Sequence, residues 1–367
     1  MSLTELIVDD VRCIERAELS LHAGQNLIWG GNGSGKTSLL ESIFLLGRGR
    51  SFRTRNSERL IRHGRDRLVV FGRTASDADL AVGAISDRSA GLVGHSVGVQ
   101  VSRTEGTIAR IGGANTKSLT ELTQVFPVQI IDPGVHKLVE EGGHRRRRWM
   151  DWGVFHVEPR FGDWWVRYTR ALKQRNAALR TQPDQAAAWD PEVARLGELI
   201  ADARARFVEA LLPHWRESVL ALTGLEPDLH YFRGWAQDVA LADALAASKA
   251  RDEAKRVTHP GPHRADILLR MSGKPAREVL SRGQQKLVAV AMTLAQLNLL
   301  QATTQTRPTL LLDDPAAELD GDRLRLFIAQ VARLRSQLVL TSLHPESDLF
   351  GTPDQLFHVE QGRVRKV

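Results

Sequence analysis

Cysteine is nearly absent from this chain of 367 residues, since Cys13 is the only one. A single cysteine cannot form an intramolecular disulfide or a cysteine-based zinc cluster, which is typical of proteins in a reducing cytosol. The chain also lacks a run of about 20 strongly apolar residues, the length that a membrane span requires. The start, MSLTELIVDD, does not resemble a signal peptide. These features predict a soluble, cytoplasmic protein without a membrane partner.

The remaining composition is that of a globular protein with a basic balance. Hydrophobic residues make up 42% and charged residues 25%, and the length is ample for one large domain or two smaller ones. Lysine and arginine number 50 against 43 acidic residues, a net charge of +7. This balance mildly favours a polyanionic partner. Many soluble enzymes share it, so the charge alone does not decide the function.

The order of predicted elements divides the chain into three segments. Residues 1–135 contain short strands, a glycine-rich loop and a strand-rich region with the runs RLVVFGRTA, LAVGAISD, SVGVQVSR and FPVQII. Residues 136–257 show helical patterns rich in alanine, leucine and arginine, and residues 258–367 return to alternating strands and helices. We therefore predict that the two α/β ends form one sheet-bearing domain, into which the helical segment is inserted as a lobe.

Residues 30–37, GGNGSGKT, match the phosphate-loop pattern G-x-x-x-x-G-K-[ST] at every fixed position. A predicted strand, NLIW, precedes the loop and a predicted helix follows it, which a chance glycine-rich turn would not require. Glycines let successive backbone N–H groups surround phosphate oxygens, and the helix N-terminus adds partial positive charge. Lys36 is then expected to reach the β- and γ-phosphates of ATP, and Thr37 to bind Mg²⁺. The predicted ATP-binding residues are Gly30, Gly31, Asn32, Gly33, Ser34, Gly35, Lys36 and Thr37.

A second motif is TLLLDD at residues 309–314, an apolar run that ends in two carboxylates. The carboxyl ends of parallel strands meet at the ligand site of such sheets. Asp313 is therefore predicted to hold Mg²⁺, and Asp314 to orient the attacking water as a general base. The alternative is a buried strand whose acids only begin a turn. The phosphate loop in the same chain favours the metal site.

Four stretches occur in an order that resembles the ABC-type ATPase heads: the phosphate loop, VLSRGQQK, LLLDD and AAELD. LSRGQ is similar to the LSGGQ signature, which in such heads closes over the ATP held by the partner protomer. The resemblance implies that the signature contacts ATP in trans, that Asp320 lies in the D-loop, and that Gln129 is the Q-loop ligand of Mg²⁺. His344 lies near the expected switch histidine but is displaced from it. The predicted signature residues are Ser281, Arg282, Gly283 and Gln284.

Within that superfamily the chain resembles more closely the RecF family of recombinational-repair proteins. The stretches that carry the resemblance are NLIWGGNGSGKTSLLESIFLLGRGRSFRT, EGGHRRRRWMDWGVFHVEP, YTRALKQRNAAL and GPHRAD, spread over nearly the whole chain. The implied fold is α/β: an ABC-type P-loop ATPase head with a strand-rich N-terminal part and an inserted helical lobe. Only about 245 residues separate Lys36 from Ser281, so the helices there can build a short arm but no long coiled coil.

The resemblance also implies a function. ATP would drive two heads together as a clamp on DNA, and weak DNA-dependent hydrolysis would release them. Asp314 stands where transporters have a glutamate, and the shorter carboxylate implies slow hydrolysis. The clamp would act at single-strand gaps or stalled forks with RecR and RecO, helping RecA to load in SOS-linked repair at the bacterial nucleoid. The alternatives are the ATPase subunit of an ABC transporter, which would lack the long helical insertion, and an SMC-like chromosome protein, which would need a longer arm.

Candidate DNA contacts follow from the densest positive cluster, HRRRRW at residues 144–149. Successive helical residues turn by about 100°, so four adjacent arginines cannot all face one way. Some of them could contact DNA phosphates while others pair with Glu140 or Glu141. Trp164 and Trp165 could stack on bases, although tryptophans in an apolar helix pattern are more typical of a core. The candidate DNA-contacting residues are Arg145, Arg146, Arg147, Arg148, Lys173 and Arg175.

Overall fold

The computed structural model describes residues 1–76, 94–116, 119–304, 307–317, 321–345 and 351–367. The chain divides into two compact units, Met1–Val135 with Gln305–Val367, and His136–Thr304. The first break coincides with the predicted boundary after residue 135. The predicted segment 258–367 is divided, because its part up to residue 304 clusters with the helices. This part clusters with the helices because helix Arg282–Thr304 packs along the long helix Asp190–Thr223.

The strands of the described residues are β1 Ser2–Val11, β2 Ile14–Ser20, β3 Gln25–Trp29, β4 Arg67–Ala75, β5 His95–Ser102, β6 Gly106–Ile111, β7 Ala114–Asn115, β8 Val128–Ile131, β9 Asp228–Phe232, β10 Asp266–Met271, β11 Lys274–Pro275, β12 Thr309–Leu312, β13 Gln337–Ser342, β14 Gln355–Glu360 and β15 Arg363–Lys366. They form three sheets, with the orders β2-β1-β4-β5-β6-β7, β11-β10-β9 and β15-β14-β3-β13-β12-β8. The predicted run LAVGAISD lies outside the described residues.

The α-helices mostly follow the predicted helical stretches. Their bounds are α1 Lys36–Arg48, α2 Leu119–Val125, α3 Lys137–Glu140, α4 Gly143–Val157, α5 Phe161–Thr181, α6 Asp190–Thr223, α7 Leu241–Ala247, α8 Lys249–Lys255, α9 Ala276–Val279, α10 Arg282–Thr304 and α11 Gly321–Ala332. Within the described residues the longest helix is α6, with 34 residues, or roughly 50 Å. That length makes a short arm rather than a long coiled coil.

The core of the first unit lies between its two six-stranded sheets. Helix α1 packs against strands of both sheets, and Leu39, Leu40 and Ile43 on it are fully buried. Strand β12, TLLL, is buried at all four positions, as a central parallel strand requires. Strands β3, β13, β12 and β8 run parallel. Their carboxyl ends, and the residues that follow them, therefore meet at one edge of the sheet.

The second unit is mainly helical, with the small sheet β11-β10-β9 beside the helices. Helix α10 is long and apolar enough to cross a membrane by length and composition, with a mean hydropathy of 1.3 over its best window. In that window 72% of the helix is buried inside the molecule. A buried core helix passes the same test. Helix α10 packs along α6, so its apolar side chains are covered by protein.

Candidate nucleotide-binding site

The phosphate loop connects β3 to α1 as its sequence context predicts. Gly30, Gly33 and Gly35 have φ values of 156°, 75° and 119°, a region that favours glycine. A Cβ at Gly30 would lie 2.2 Å from the carbonyl oxygen of Val359. No larger residue fits there, so the backbone can make its turn only with glycine. Helix α1 begins at Lys36, within the last two residues of the motif.

The loop has the features of a phosphate cradle. A Cβ at Gly31 or Gly33 would meet no atom within 4 Å, so the loop is open on that side, and Asn32 is exposed between them. The Ser34 hydroxyl oxygen is buried and has no hydrogen-bond partner in the described part of the chain. A buried polar group without a partner is costly unless a ligand satisfies it. The residues present therefore fit a bound phosphate chain.

The Lys36 ammonium turns back over the loop. Its Nζ donates to the carbonyl oxygens of Gly30, at 2.6 Å, and Gly31, at 3.0 Å. Burial lowers the pKa of Lys36, whereas the charges of Asp314 and Asp313 act in the opposite direction. A partly desolvated cation gains strongly from a nearby anion. Lys36 is thus placed to favour a phosphate group in the loop.

The loop and the acidic strand meet through Thr37 and Asp313. The Thr37 hydroxyl lies 3.1 Å from both carboxylate oxygens of Asp313, although 276 positions separate the two residues. Asp313 follows β12 and is 9% exposed. A hydroxyl and a carboxylate side by side are the oxygen ligands that Mg²⁺ prefers. The arrangement therefore fits the cation expected beside a nucleoside triphosphate.

Thr341 on β13 positions both acids and was missed by the sequence reasoning. Its hydroxyl donates to Oδ1 of Asp313 at 2.9 Å and accepts the backbone N–H of Asp314 at 2.9 Å. Asp314 has a left-handed backbone, with φ of 48°, which is uncommon outside glycine. The available signal was a hydroxyl residue near the end of QLVLTS, a strand that neighbours the acidic strand. Thr341 thus holds the turn that presents Asp314.

The predicted magnesium role of Gln129 is not supported by the strand register. Gln129 pairs with Leu310 in the middle of β8, whereas Ile131 pairs with Leu312. Strands rise about 3.3 Å per residue, so Gln129 lies roughly 10 Å before the level of Asp313. The residue level with Asp313 is Asp132, the first after β8. The resemblance implies a glutamine within the strand, whereas polar residues just after a parallel strand are the ones that face the site.

For two further candidate residues, the described part of the chain gives no contact with the phosphate loop or the acidic strand. Asp320, the predicted D-loop residue, is outside the described residues. His344 follows the end of β13 by two residues, is exposed, and donates its backbone N–H to the Ser342 hydroxyl at 3.2 Å. Both assignments stay predictions.

The predicted signature begins α10 in the second unit. The Ser281 hydroxyl accepts the N–H of Gln284 at 3.3 Å, and the Gln284 side chain accepts the N–H of Ser281 at 2.9 Å. This reciprocal pair is a capping box, so Ser281 caps the N-terminus of α10. Ser281 and Arg282 are exposed, and Gly283 and Gln284 are half-buried. The stretch is thus accessible as well as structural.

The arginine cluster on α4 is mostly engaged within the second unit. Arg146 is 9% exposed and makes a bidentate ion pair with Asp266 at 2.9 Å. Arg147 donates to the Ala265 carbonyl at 2.6 Å, and burial lowers its pKa. The predicted DNA contact at Arg146 is therefore wrong for this conformation, because both its charge and its donors are used inside. Arg145 pairs with Glu141, and Arg148 is exposed.

The second predicted contact region, on α5, needs a similar correction. Arg175 is 2% exposed and pairs with Asp190 at 2.6 Å and with Asp252 at 2.8 Å. A buried arginine held by two carboxylates is structural, so its predicted DNA contact is also wrong here. Lys173 on the same helix is exposed. It stays a candidate.

The two tryptophans on α5 contribute to packing. Trp164 is 7% exposed. Trp165 stacks between Phe161 and Tyr168, with ring centroids 6.4 and 6.0 Å away. Their packing favours the core interpretation over base stacking.

A glycine-built phosphate loop joined through Thr37 and Asp313 to an acidic parallel strand defines a P-loop ATPase head. A family model described as "RecF/RecN/SMC N terminal domain" matches residues 2–365. The chain belongs to the RecF family within this group, because curated RecF proteins match it over its whole length. The predicted family and fold class are thereby confirmed.

Two relatives carry the description "DNA replication and repair protein RecF". The protein from Pseudomonas putida (strain W619) is 38% identical over 372 residues, covering 99% of this chain and 98% of the relative. The protein from Erwinia tasmaniensis is 38% identical over 369 residues, with the same coverage. These matches support the RecF interpretation over a transporter subunit or an SMC-like chromosome protein.

Solved structures agree with the fold. "Structure of the recombination mediator protein RecF-ATP in RecFOR pathway" has a TM-score of 0.88 at 25% identity, covering 100% of this chain and 97% of that one. An SMC head bound to the C-winged helix domain of ScpA has a TM-score of 0.58 at 15% identity. The second match concerns the fold alone.

Proposed function

We propose that this chain is an ATP-dependent DNA-binding protein of replication and recombinational repair that uses ATP and Mg²⁺ to switch between a free form and a DNA clamp. The single observation that carries the proposal is the contact of Thr37 with both carboxylate oxygens of Asp313 at 3.1 Å. This contact joins the phosphate loop to the acidic strand, which supports one shared site for a nucleotide and its cation.

Each residue of the loop has a part in this proposal. Lys36 and the backbone N–H groups of residues 31–36 would bind the phosphates, and the Ser34 hydroxyl would gain the partner it lacks. Thr37 and Asp313 would hold Mg²⁺, which when bound neutralises phosphate charge. Asp314, fixed by its N–H bond to Thr341, would orient the attacking water. Hydrolysis would be weak and would serve as a timing device.

The proposed clamp is a homodimer that forms on ATP. Ser281 and Arg282 are exposed at the N-terminus of α10, where backbone N–H groups favour an anion. The phosphate loop already has its own lysine and hydroxyls. The signature would therefore complete the nucleotide site of a second copy, as in related ATPase heads.

Partners follow from the family. A solved relative is described as a recombination mediator protein in the RecFOR pathway, which implies RecR and RecO as partners of this chain and RecA as the recombinase that is loaded. The DNA would be gapped duplex with single-strand/double-strand junctions. The protein would act in the bacterial cytoplasm, at the nucleoid.

Sedimentation and DNA-binding anisotropy, each with and without ATP, test the proposal with wild type, Lys36→Met and Ser281→Arg. We expect ATP to drive wild type into dimers and to tighten its DNA binding. Lys36→Met should lose both responses, since it lacks the phosphate ligand. Ser281→Arg should still bind ATP as a monomer but should not dimerise. Normal dimerisation of Ser281→Arg on ATP would exclude the trans role of the signature.

A further inference from the structure

Most of the net positive charge of the chain lies in one segment that runs from the end of α1 to the start of β4. Residues 48–67, RGRSFRTRNSERLIRHGRDR, are called the basic segment below. They contain eight arginines and two acids, a net charge of +6, whereas the whole chain has +7. The rest of the chain is therefore nearly neutral. Positive charge concentrated in one stretch indicates a binding site for a polyanion. Positive charge spread evenly over the chain does not.

The backbone of the basic segment is fixed to the first unit. Gly49 ends α1 in a left-handed conformation, with φ of 62°. Phe52 packs edge-on against Phe44 of α1, with ring centroids 5.4 Å apart. Leu60 and Ile61 are 1% and 6% exposed and belong to the hydrophobic core. The segment is thus an ordered platform and not a loose tail.

A buried carboxylate anchors the start of this platform. Glu41 on α1 is fully buried and accepts from the Ser51 hydroxyl at 2.5 Å and from Arg12 Nη2 at 3.0 Å. Arg53 approaches it at 3.6 Å. A buried charge needs such partners. One residue therefore ties the β1–β2 turn, α1 and the basic segment together.

The arginine head groups on the platform are available. Arg55, Arg59 and Arg67 are exposed and have no ion-pair or side-chain hydrogen-bond partner among the residues that the structure describes. The side chains of Arg53 and Arg65 are 49% and 51% exposed, although each has an acid within 4 Å. Exposed guanidinium groups present forks of N–H donors that match phosphate oxygens. The basic segment thus offers several potential phosphate contacts.

The type of nucleic acid follows from what accompanies the arginines. Residues 53–67 contain no phenylalanine, tyrosine or tryptophan, so this stretch offers no aromatic platform on which unpaired bases could stack. Its exposed side chains include the amide of Asn56 and the imidazole of His63, which also donate to phosphates. Donors without stacking groups suit the regular phosphate backbone of a duplex.

We infer that Arg55, Arg59 and Arg67 of the basic segment contact the phosphate backbone of double-stranded DNA. This inference rests on the proposed function, in which the chain binds DNA, and it gives that binding a location on the first unit. The location differs from the arginine cluster of α4 and from α5. We expect binding there to be independent of base sequence, because contacts to phosphates carry no sequence information.

The test compares duplex affinity as a function of salt, in ATP and Mg²⁺, for Arg55→Gln/Arg59→Gln/Arg67→Gln and for wild type. We expect the slope of log affinity against log salt to fall by about 3, since each phosphate contact contributes about 0.9. The charge-conserving variant with lysine at the same three positions should retain most of the slope. The matched control is Arg216→Gln/Arg251→Gln/Arg270→Gln, which removes three exposed arginines of the second unit and should leave the slope unchanged.

Thermal unfolding of all variants checks that the fold is intact, and single-stranded oligothymidine and polyglutamate serve as comparison ligands. An unchanged slope in the glutamine variant, with wild type binding duplex, overturns this inference and leaves the proposed function standing. Equal losses on duplex and oligothymidine overturn the assignment to duplex. Binding of polyglutamate in place of duplex overturns it in favour of an acidic protein partner. If wild type does not bind duplex at all, both the inference and the proposed function fail.

Discussion

Some arginines of this chain are buried in ion pairs and others are exposed to solvent, and their neighbours in sequence do not indicate which. Arg204 is fully buried and pairs with Asp151 at 2.8 Å, whereas Arg55 is exposed without an acidic partner in the described chain. Arg204 also lies with its guanidinium carbon 5.1 Å from the Trp165 ring centroid. Burial of an arginine depends on acids that are distant in sequence. A cluster such as HRRRRW therefore predicts charge, but not which charges reach solvent.

His263 provides a prediction about pH at the scale of one residue. Burial lowers its pKa from 6.5 to about 4, with Arg264 and Arg147 acting in the same direction and the Thr258 carbonyl and Asp252 opposing. The ring is held between the Tyr168 hydroxyl, 2.7 Å from Nδ1, and the Thr258 carbonyl, 3.0 Å from Nε2. The neutral ring satisfies both contacts by accepting from Tyr168 and donating to Thr258.

Because His263 is neutral in the folded protein, the unfolded chain takes up an extra proton below pH 6.5. The free energy of unfolding should therefore be unaffected by this group above pH 6.5 and should fall as the pH drops towards 4, by at most about 3 kcal/mol. Urea unfolding across this range, with wild type and His263→Gln, measures the effect. The variant should show a shallower pH dependence. The exposed His230→Gln is the control, and equal slopes in wild type and His263→Gln would contradict the assignment.

At the scale of elements, local patterns predicted much of the fold. The predicted runs RLVVFGRTA and SVGVQVSR are found as strands, and the phosphate loop lies between a strand and a helix, because periodicity and turn residues are local properties. Strand β9 lies within residues 136–257, where the sequence patterns predict helices. Its strand form depends on pairing with β10, more than thirty positions later. The misplaced Gln129 has a similar cause, because register is set by neighbouring strands.

Functional residues that depend on contacts between elements are also difficult to predict from local sequence. The phosphate loop and acidic strand were identifiable as motifs, whereas Thr341 and the Glu41 anchor act through partners brought close only by folding. The basic segment is different. Its charge could have been counted from the sequence alone, and only the exposure and fixed backbone of its arginines required the structure.

The capping box at the start of α10 yields a prediction for an element. Ser281→Ala removes the acceptor for the N–H of Gln284, so we expect the free energy of unfolding to fall by about 1 kcal/mol. Ser281→Thr keeps a hydroxyl acceptor and should stay close to wild type. Denaturant unfolding of the nucleotide-free protein measures this loss apart from any contact with ATP. A stability of Ser281→Ala equal to that of wild type would mean that the reciprocal bonds contribute nothing measurable.

At the scale of the whole molecule, the proposed clamp separates assembly from release. Assembly of the dimer would depend on Lys36, which would bind the phosphates, and on Thr37 and Asp313, which would bind Mg²⁺. Release would depend on Asp314, whose backbone is set by Thr341 rather than by the nucleotide. The two adjacent acids would therefore have different effects on the proposed dimer, although a sequence motif treats them as one unit.

Asp314→Asn tests this separation directly. The amide cannot act as a general base, so hydrolysis should slow by a factor of about 100 or more, while ATP binding and dimerisation persist. Dimers formed with ATP and then diluted into nucleotide-free buffer should dissociate more slowly than those of wild type, as followed by fluorescence energy transfer between labelled copies. Asp313→Asn is the matched control, because it removes a cation ligand and should weaken assembly itself. Wild-type dissociation of Asp314→Asn dimers would show that hydrolysis does not set their lifetime, and the clamp would then open by nucleotide loss alone.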